Sequence, residues 1–124
     1  MKNIIAVTLI VMISLSAWFL SGCGTKGGVF GEPITETNVT RIGDILAYPE
    51  QFDKKTVLIE GEIIEECPSG GWFMLKDKTG IIYVNLHPSY FAIPQAVGEH
   101  AIAQGIVIKE DSRVLVIGKG VQLK

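Results

Sequence analysis

From Thr56 to the C-terminus, apolar side chains recur at every second position in five separate stretches. In Thr56–Ile64, Val57, Ile59, Gly61 and Ile63 share one face while Glu60 and Glu62 take the other. Period-two alternation of this kind marks a strand with one face in a core and one in water. Trp72–Lys76 and Ile81–Leu86 repeat the pattern around Asp77-Lys78-Thr79-Gly80, a turn sequence, and together read as a β-hairpin. Glu99–Lys109 and Arg113–Leu123 form two further strands separated by Glu110-Asp111-Ser112. His87–Pro94, with two prolines, is a crossover loop or one irregular helical turn.

Upstream of the strands the period is different. Val39, Ile42, Ile45 and Leu46 are spaced for one face of a short helix, with Asn38 or Thr40 able to cap it. Tyr48-Pro49 ends it, because a residue before proline avoids the α region. Gly24–Asn38, rich in glycine and without periodicity, reads as a flexible tether.

Two strands echo one another. Val57-x-Ile59-x-Gly61-x-Ile63 matches Ala101-x-Ala103-x-Gly105-x-Val107, with glycine on the inward face of each. A mid-strand glycine costs stability unless the strand bends or another backbone approaches it. Long coiled strands with central glycines are what closing a small barrel requires. Five strands, a central hairpin and a long connection before the fourth strand predict an all-β, five-stranded Greek-key barrel of the OB type with a short N-terminal helix. A small open β-sandwich is the rival arrangement of the same strands.

The segments Ile42-Gly43-Asp44-Ile45, Pro49–Val57 and Ile59–Ile63 resemble the opening of small prokaryotic OB-fold modules. These are grouped with the nucleic-acid-binding, tRNA-anticodon-binding-like superfamily. Gly71–Asp77, Thr79-Gly80, Tyr83-Val84, Val97-Gly98 and Gly105–Val107 continue the likeness through the rest of the domain. These motifs shape a fold and carry no chemistry, so the resemblance implies architecture far more than function. Some relatives carry a second cysteine just before the tryptophan, where this chain has Gly71.

The N-terminus adds location. Lys2 is followed by an apolar run from Ile4 to Leu20 and then Leu20-Ser21-Gly22-Cys23. That is the layout of an export signal, and the tetrapeptide resembles the lipobox of bacterial lipoproteins. The resemblance implies cleavage before Cys23, lipidation of its sulfur and a barrel held at the cell membrane or outer membrane. Gly24 after the cysteine points, by the same resemblance, to the outer membrane in a host that has one. An uncleaved anchor is the alternative, since 17 residues is near the lower limit for crossing a bilayer. The expected organisation is a signal over 1–22, a tether over 23–38 and the OB-fold domain over 39–124.

Charge and candidate chemistry narrow the function classes. The formal net charge is −2, from 11 basic and 13 acidic residues, with no basic stripe of the kind that grips nucleic acid. If Phe73, Leu75, Ile82, Val84 and Leu86 face inward, then Trp72, Met74, Lys76, Tyr83 and Asn85 emerge on the opposite face. That face of an OB barrel is its usual binding surface, and flat rings there stack on bases, sugars or proline-rich peptides. The alternative is that the helix or the crossover loop covers Trp72 and Met74. Glu65, Glu66, Glu110 and Asp111 flank the face and disfavour a polyanion, with Lys76, Lys78, Lys109 and Arg113 offsetting them in part.

With Cys23 lipidated, Cys67 is the one remaining thiol and reads as a buried, inert one. Its spacing to His87 or His100 matches no zinc signature, and no cofactor is expected. Ser69, Ser89 and Ser112 have no base and orienting acid nearby in sequence, and there is no P-loop or dinucleotide fingerprint. The expected function is a membrane-anchored, non-catalytic binding module for a protein, peptide or glycan. A single-stranded nucleic-acid binder and a redox or haem-handling factor are the rival classes.

Overall fold

The structure is a computed structural model that describes residues 27–124. The apolar run, the lipobox and Cys23 lie outside the described residues. Among the described residues there are six strands: β1 (Gly28–Gly31), β2 (Thr56–Glu66), β3 (Trp72–Lys76), β4 (Ile81–Asn85), β5 (His100–Lys109) and β6 (Val114–Leu123). Two short helices, α1 (Ile42–Ala47) and α2 (Pro49–Phe52), precede β2, and His87–Ser89 forms a 3-10 turn after β4.

The last five strands close on themselves. β2 pairs antiparallel with β3, β3 with β4 and β5 with both β2 and β6, while β4 and β6 run parallel. This is the five-stranded OB-type barrel, with each strand shifted by at most two residues from the span expected of it. Closure depends on β2, which pairs with β5 over Thr56–Glu62 and with β3 from Glu62 onward. The strand must coil sharply between those partners, and Gly61 sits at that point. A Cβ there would overlap the Lys76 carbonyl oxygen, and one at Gly105 would overlap that of Ile117. The two echoing segments turn out to be partners: Val57 pairs with Gly105, Ile59 with Ala103 and Gly61 with Ala101. Each glycine therefore lies opposite the opening residue of the other motif.

Inside the barrel, Ile59, Ile63, Phe73, Leu75, Val84, Leu86, Val107, Val116 and Val121 have no solvent exposure. All of the expected inward residues of β3 and β4 are in this core. Ile42 and Ile45 of α1 are fully buried in the same cluster, so the helix stoppers the barrel.

The helix is held differently from the cap expected of it. Its N-cap is Arg41, with no side-chain cap of its own, and neither Asn38 nor Thr40 serves. The β3–β4 turn supplies the acceptors instead: Ile42 N–H donates to Asp77 Oδ2 at 2.9 Å and Gly43 N–H to Thr79 Oγ1 at 2.7 Å. Asp77 Oδ1 also accepts from the Thr79 hydroxyl, Thr79 N–H and Gly80 N–H. Partial burial pushes the Asp77 carboxyl up. The hydrogen bonds from Thr79, Ile42 and Gly80 outweigh that and hold it below the usual carboxylate range. Val39, expected on the buried helix face, is half exposed and instead bridges in parallel to Leu58.

The stretch expected as a tether is fastened to the barrel from Gly28 onward. β1 pairs antiparallel with the end of β6, Gly28 opposite Leu123 and Gly31 opposite Gly120, and Phe30 packs against the core cluster. Glu32 N–H donates to the Lys119 carbonyl at 2.8 Å. Further along, Gln104 Oε1 accepts from both Thr35 and Glu36 N–H at 2.8 and 2.9 Å. Gln104 is the one buried polar side chain among the described residues, and the clamp satisfies it. The segment crosses the outer face of β2 and β5, which explains why Leu58, opposite Gln104 on that face, is buried outside the core cluster.

Two predictions follow from closure and from the helix cap. Gly61→Val and Gly105→Val should each lose about 1–3 kcal/mol through overpacking; thermal melts followed by circular dichroism measure this, and unchanged midpoints in both would tell against the closed barrel. Asp77→Asn removes the charge and the Ile42 acceptor, at a cost of about 1–2 kcal/mol at pH 7. The Asp77 carboxyl is depressed in the folded state, so its stabilisation is complete above the unfolded value and is lost as pH falls through the folded one. The gap between parent and Asp77→Asn should therefore close as denaturant melts are taken below about pH 4.

Candidate functional site

Alternation on β3 and β4 places Trp72, Met74, Tyr83 and Asn85 outward and half-buried, with Lys76 exposed. In register, Trp72 lies opposite Asn85 and Met74 opposite Tyr83, so the two aromatic residues are diagonal neighbours. Their ring centroids are 5.5 Å apart with the planes tilted by 33°. That is within the range where aromatic pairs attract and stiffen one another. Neither the helices nor the His87–Pro94 segment buries them. The crossover instead crosses one end of the barrel, where Ser89 Oγ donates to the Gly118 carbonyl and Ile93 N–H to the Gly70 carbonyl.

Arg113, just before β6, joins the platform although the alternation of β3 and β4 does not point to it. Its Cζ lies 5.7 Å from the Tyr83 ring centroid, and its Nε donates to Glu110 at 2.8 Å. Burial raises the Tyr83 phenol above its ordinary value, and the Arg113 charge beside it works in the opposite direction. Tyr83 is thus a neutral ring at physiological pH, with a cation against it.

The charges around the face are less free than their number suggests. Glu66 turns to accept the Ala96 N–H at 2.9 Å, tying the β2 end to the crossover. Glu110 is engaged by Arg113, and Lys109 by Glu50 at 3.2 Å. Lys76 and Lys78 make no ion pair among the described residues. Glu65, opposite Met74 in the β2–β3 register, is exposed beside the platform.

Cys67 corrects the sequence-based expectation. It is half exposed in the turn between β2 and β3 rather than buried, because the strand ends at Glu66 and the chain leaves the core there. Its Sγ lies 3.0 Å from Ser69 Oγ. The hydrogen bond from the Ser69 side chain, helped by backbone N–H groups of Ser69, Gly71 and Gly70, holds the thiol below its usual value against slight desolvation. A Cβ on Gly71 would meet the imidazole of the exposed His87, which would have to turn aside to admit a side chain there. His87 and His100 do not join Cys67, and no cluster of metal-ligating side chains occurs among the described residues.

No helix among the described residues is long and apolar enough to cross a membrane. No family model and no curated protein matches the chain. Among solved structures, the chain is similar to the hypothetical protein ygiW from E. coli, with a TM-score of 0.56 and 22% sequence identity over 71% of this chain and 91% of that one. The likeness supports the OB-like barrel and extends no further than the fold.

With Cys23 changed to serine so that one thiol remains, Cys67 should alkylate with iodoacetamide in the native protein. Ser69→Ala should slow that reaction about threefold near neutral pH, because fewer molecules carry the thiolate. A thiol that reacts only after unfolding would contradict the described turn.

Proposed function

We propose that this chain is an exported envelope lipoprotein, lipidated at Cys23, whose barrel binds a protein, peptide or glycan and carries no catalysis of its own. The observation that carries the binding reading is the Trp72–Tyr83 pair, half-buried on a sheet face that no other element among the described residues covers. Apolar ring faces with polar neighbours at Lys76, Asn85 and Arg113 suit a ligand that offers both a flat apolar side and hydrogen-bonding groups. With Lys109 and Arg113 engaged by carboxylates, a phosphodiester chain would find little beyond Lys76 and Lys78.

Leu20-Ser21-Gly22-Cys23 after the apolar run supports the anchor. Its consequence changes once β1 is taken into account. With Cys23 lipidated and β1 docked at Gly28, five residues of chain reach at most about 18 Å. A tether running to Asn38 would have allowed roughly 50 Å. The module is thus held close to the membrane, and its ligand is one found there.

Cys23→Ser should abolish processing and membrane retention; normally processed serine variant in the membrane fraction would sink the anchor. Screened against peptide and glycan arrays, the wild-type chain in detergent should bind a ligand that Trp72→Ala loses by at least tenfold, about 1.4 kcal/mol. Single-stranded oligonucleotides should bind weakly, with affinity falling steeply in salt. Tight oligonucleotide binding that depends on Trp72 would replace this reading with a nucleic-acid one.

A further inference from the structure

A second concave site lies on the far side of Lys76. A groove of about 730 Å³ runs between the outer face of β2, the β3–β4 turn and the Val39–Arg41 segment. Its origin is a gap in strand pairing. The Val39–Thr40 segment meets β2 at Leu58, whose carbonyl accepts Thr40 N–H at 2.7 Å. β3 begins to pair with β2 only at Glu62. Ile63 directs both its N–H and its carbonyl to the Gly98–Glu99 side. By alternation, Gly61 faces that side too, whereas Leu58, Glu60 and Glu62 face the other. Among the described residues no strand lies opposite Glu60 on this edge, so its main-chain N–H and C=O open into the groove.

The walls of the slot differ in charge. Glu60 and Glu62 stand on the β2 side, and Lys76 and Lys78 on the turn side. Glu62 and Lys76 are cross-strand partners, yet they form no ion pair. Glu60 is approached by His100 and Lys124 at 3.6 and 3.8 Å, while Glu62 makes no ion pair among the described residues. Asp77 and Thr79 face the groove but are engaged by the α1 cap. One free residue of sheet edge, an ammonium pair on one wall and a carboxylate on the other together describe a complement to a short stretch of peptide backbone bearing both charges.

We propose that this groove binds a short peptide with free termini, its carboxylate toward Lys76 and Lys78, its ammonium toward Glu62, and its backbone hydrogen-bonded to Glu60. The volume suits a few residues. Main-chain pairing to an open strand edge supplies affinity without demanding particular side chains. Opposed charges set the direction in which the peptide lies. The site shares Lys76 with the rim of the Trp72–Tyr83 platform but none of its aromatic residues, and the proposal does not depend on what that platform binds.

The test is a titration of the full chain, ¹⁵N-labelled in detergent micelles, with trialanine, N-acetyl-trialanine and trialanine amide. Trialanine should give saturable shifts at the amides of Glu60 and Lys76–Thr79, and each blocked peptide should bind at least tenfold more weakly. Glu62→Gln should weaken trialanine and leave trialanine binding no better than that of the acetylated form. Trp72→Ala should leave trialanine binding unchanged, so loss of the platform and loss of the groove are read separately. Equal binding of free and blocked peptides, shifts centred on Trp72 and Tyr83, or no shift up to about 10 mM peptide would each overturn the proposal.

Discussion

Everything in this molecule depends on β2 being able to pair on both edges. Its first half lies beside β5 and its second beside β3, and the change of partner brings the Lys76 carbonyl onto the Cα of Gly61. Any side chain there would hold the strands apart and open the barrel along its seam. Gly105 does the same on β5, where a register shift against β6 lets that strand follow the curve. Closure then gives an interior wide enough for one layer of Ile, Val, Leu and Phe side chains, with Ile42 and Ile45 of α1 filling one end.

A closed barrel has an outer surface all round, and the N-terminal segment decides which part of it stays open. β1 occupies the edge of β6 beyond the reach of β4, and the chain from Glu32 to Thr40 crosses β2 and β5 under the grip of Gln104. The outer faces of β3 and β4 receive no such cover from the described residues. Trp72, Met74 and Tyr83 remain there, stiffened by ring contact and by Arg113. The same segment leaves the gap at Glu60 because it meets β2 at Leu58 and goes no further along that edge. Covering and exposing are thus two results of one path of the chain.

Period-two alternation made the strands of the barrel and their inward residues legible, because each has one face in a core and one in water. It also placed Trp72, Met74, Lys76, Tyr83 and Asn85 on the outer face, as the structure has them. β1 is not legible in sequence because Gly28-Val29-Phe30-Gly31 is too short to show a period, and glycine at both ends reads as linker. The α1 cap was out of reach for a different reason: its acceptors, Asp77 and Thr79, are about 35 residues away in sequence. Val39 looked like a helix position because apolar spacing cannot distinguish a buried face from a strand bridge. Arg113 was legible as a charge flanking the face, but its place over the Tyr83 ring, like the groove, comes from segments distant in sequence, so no local pattern announces either. The function was the least legible part, since the motifs that recur in this fold shape its backbone and leave chemistry to the surface.

The central claim is that the outer face of β3 and β4 is where this protein meets its ligand. The most direct measurement places a photoreactive amino acid at position 74, beside the two rings, and in a second strain at position 54, an exposed site elsewhere on the barrel. Intact cells are irradiated and the adducts compared. A discrete adduct from position 74 that disappears on Trp72→Ala, with none from position 54, is the result expected. Equal adducts from both positions, or none from position 74, would contradict it.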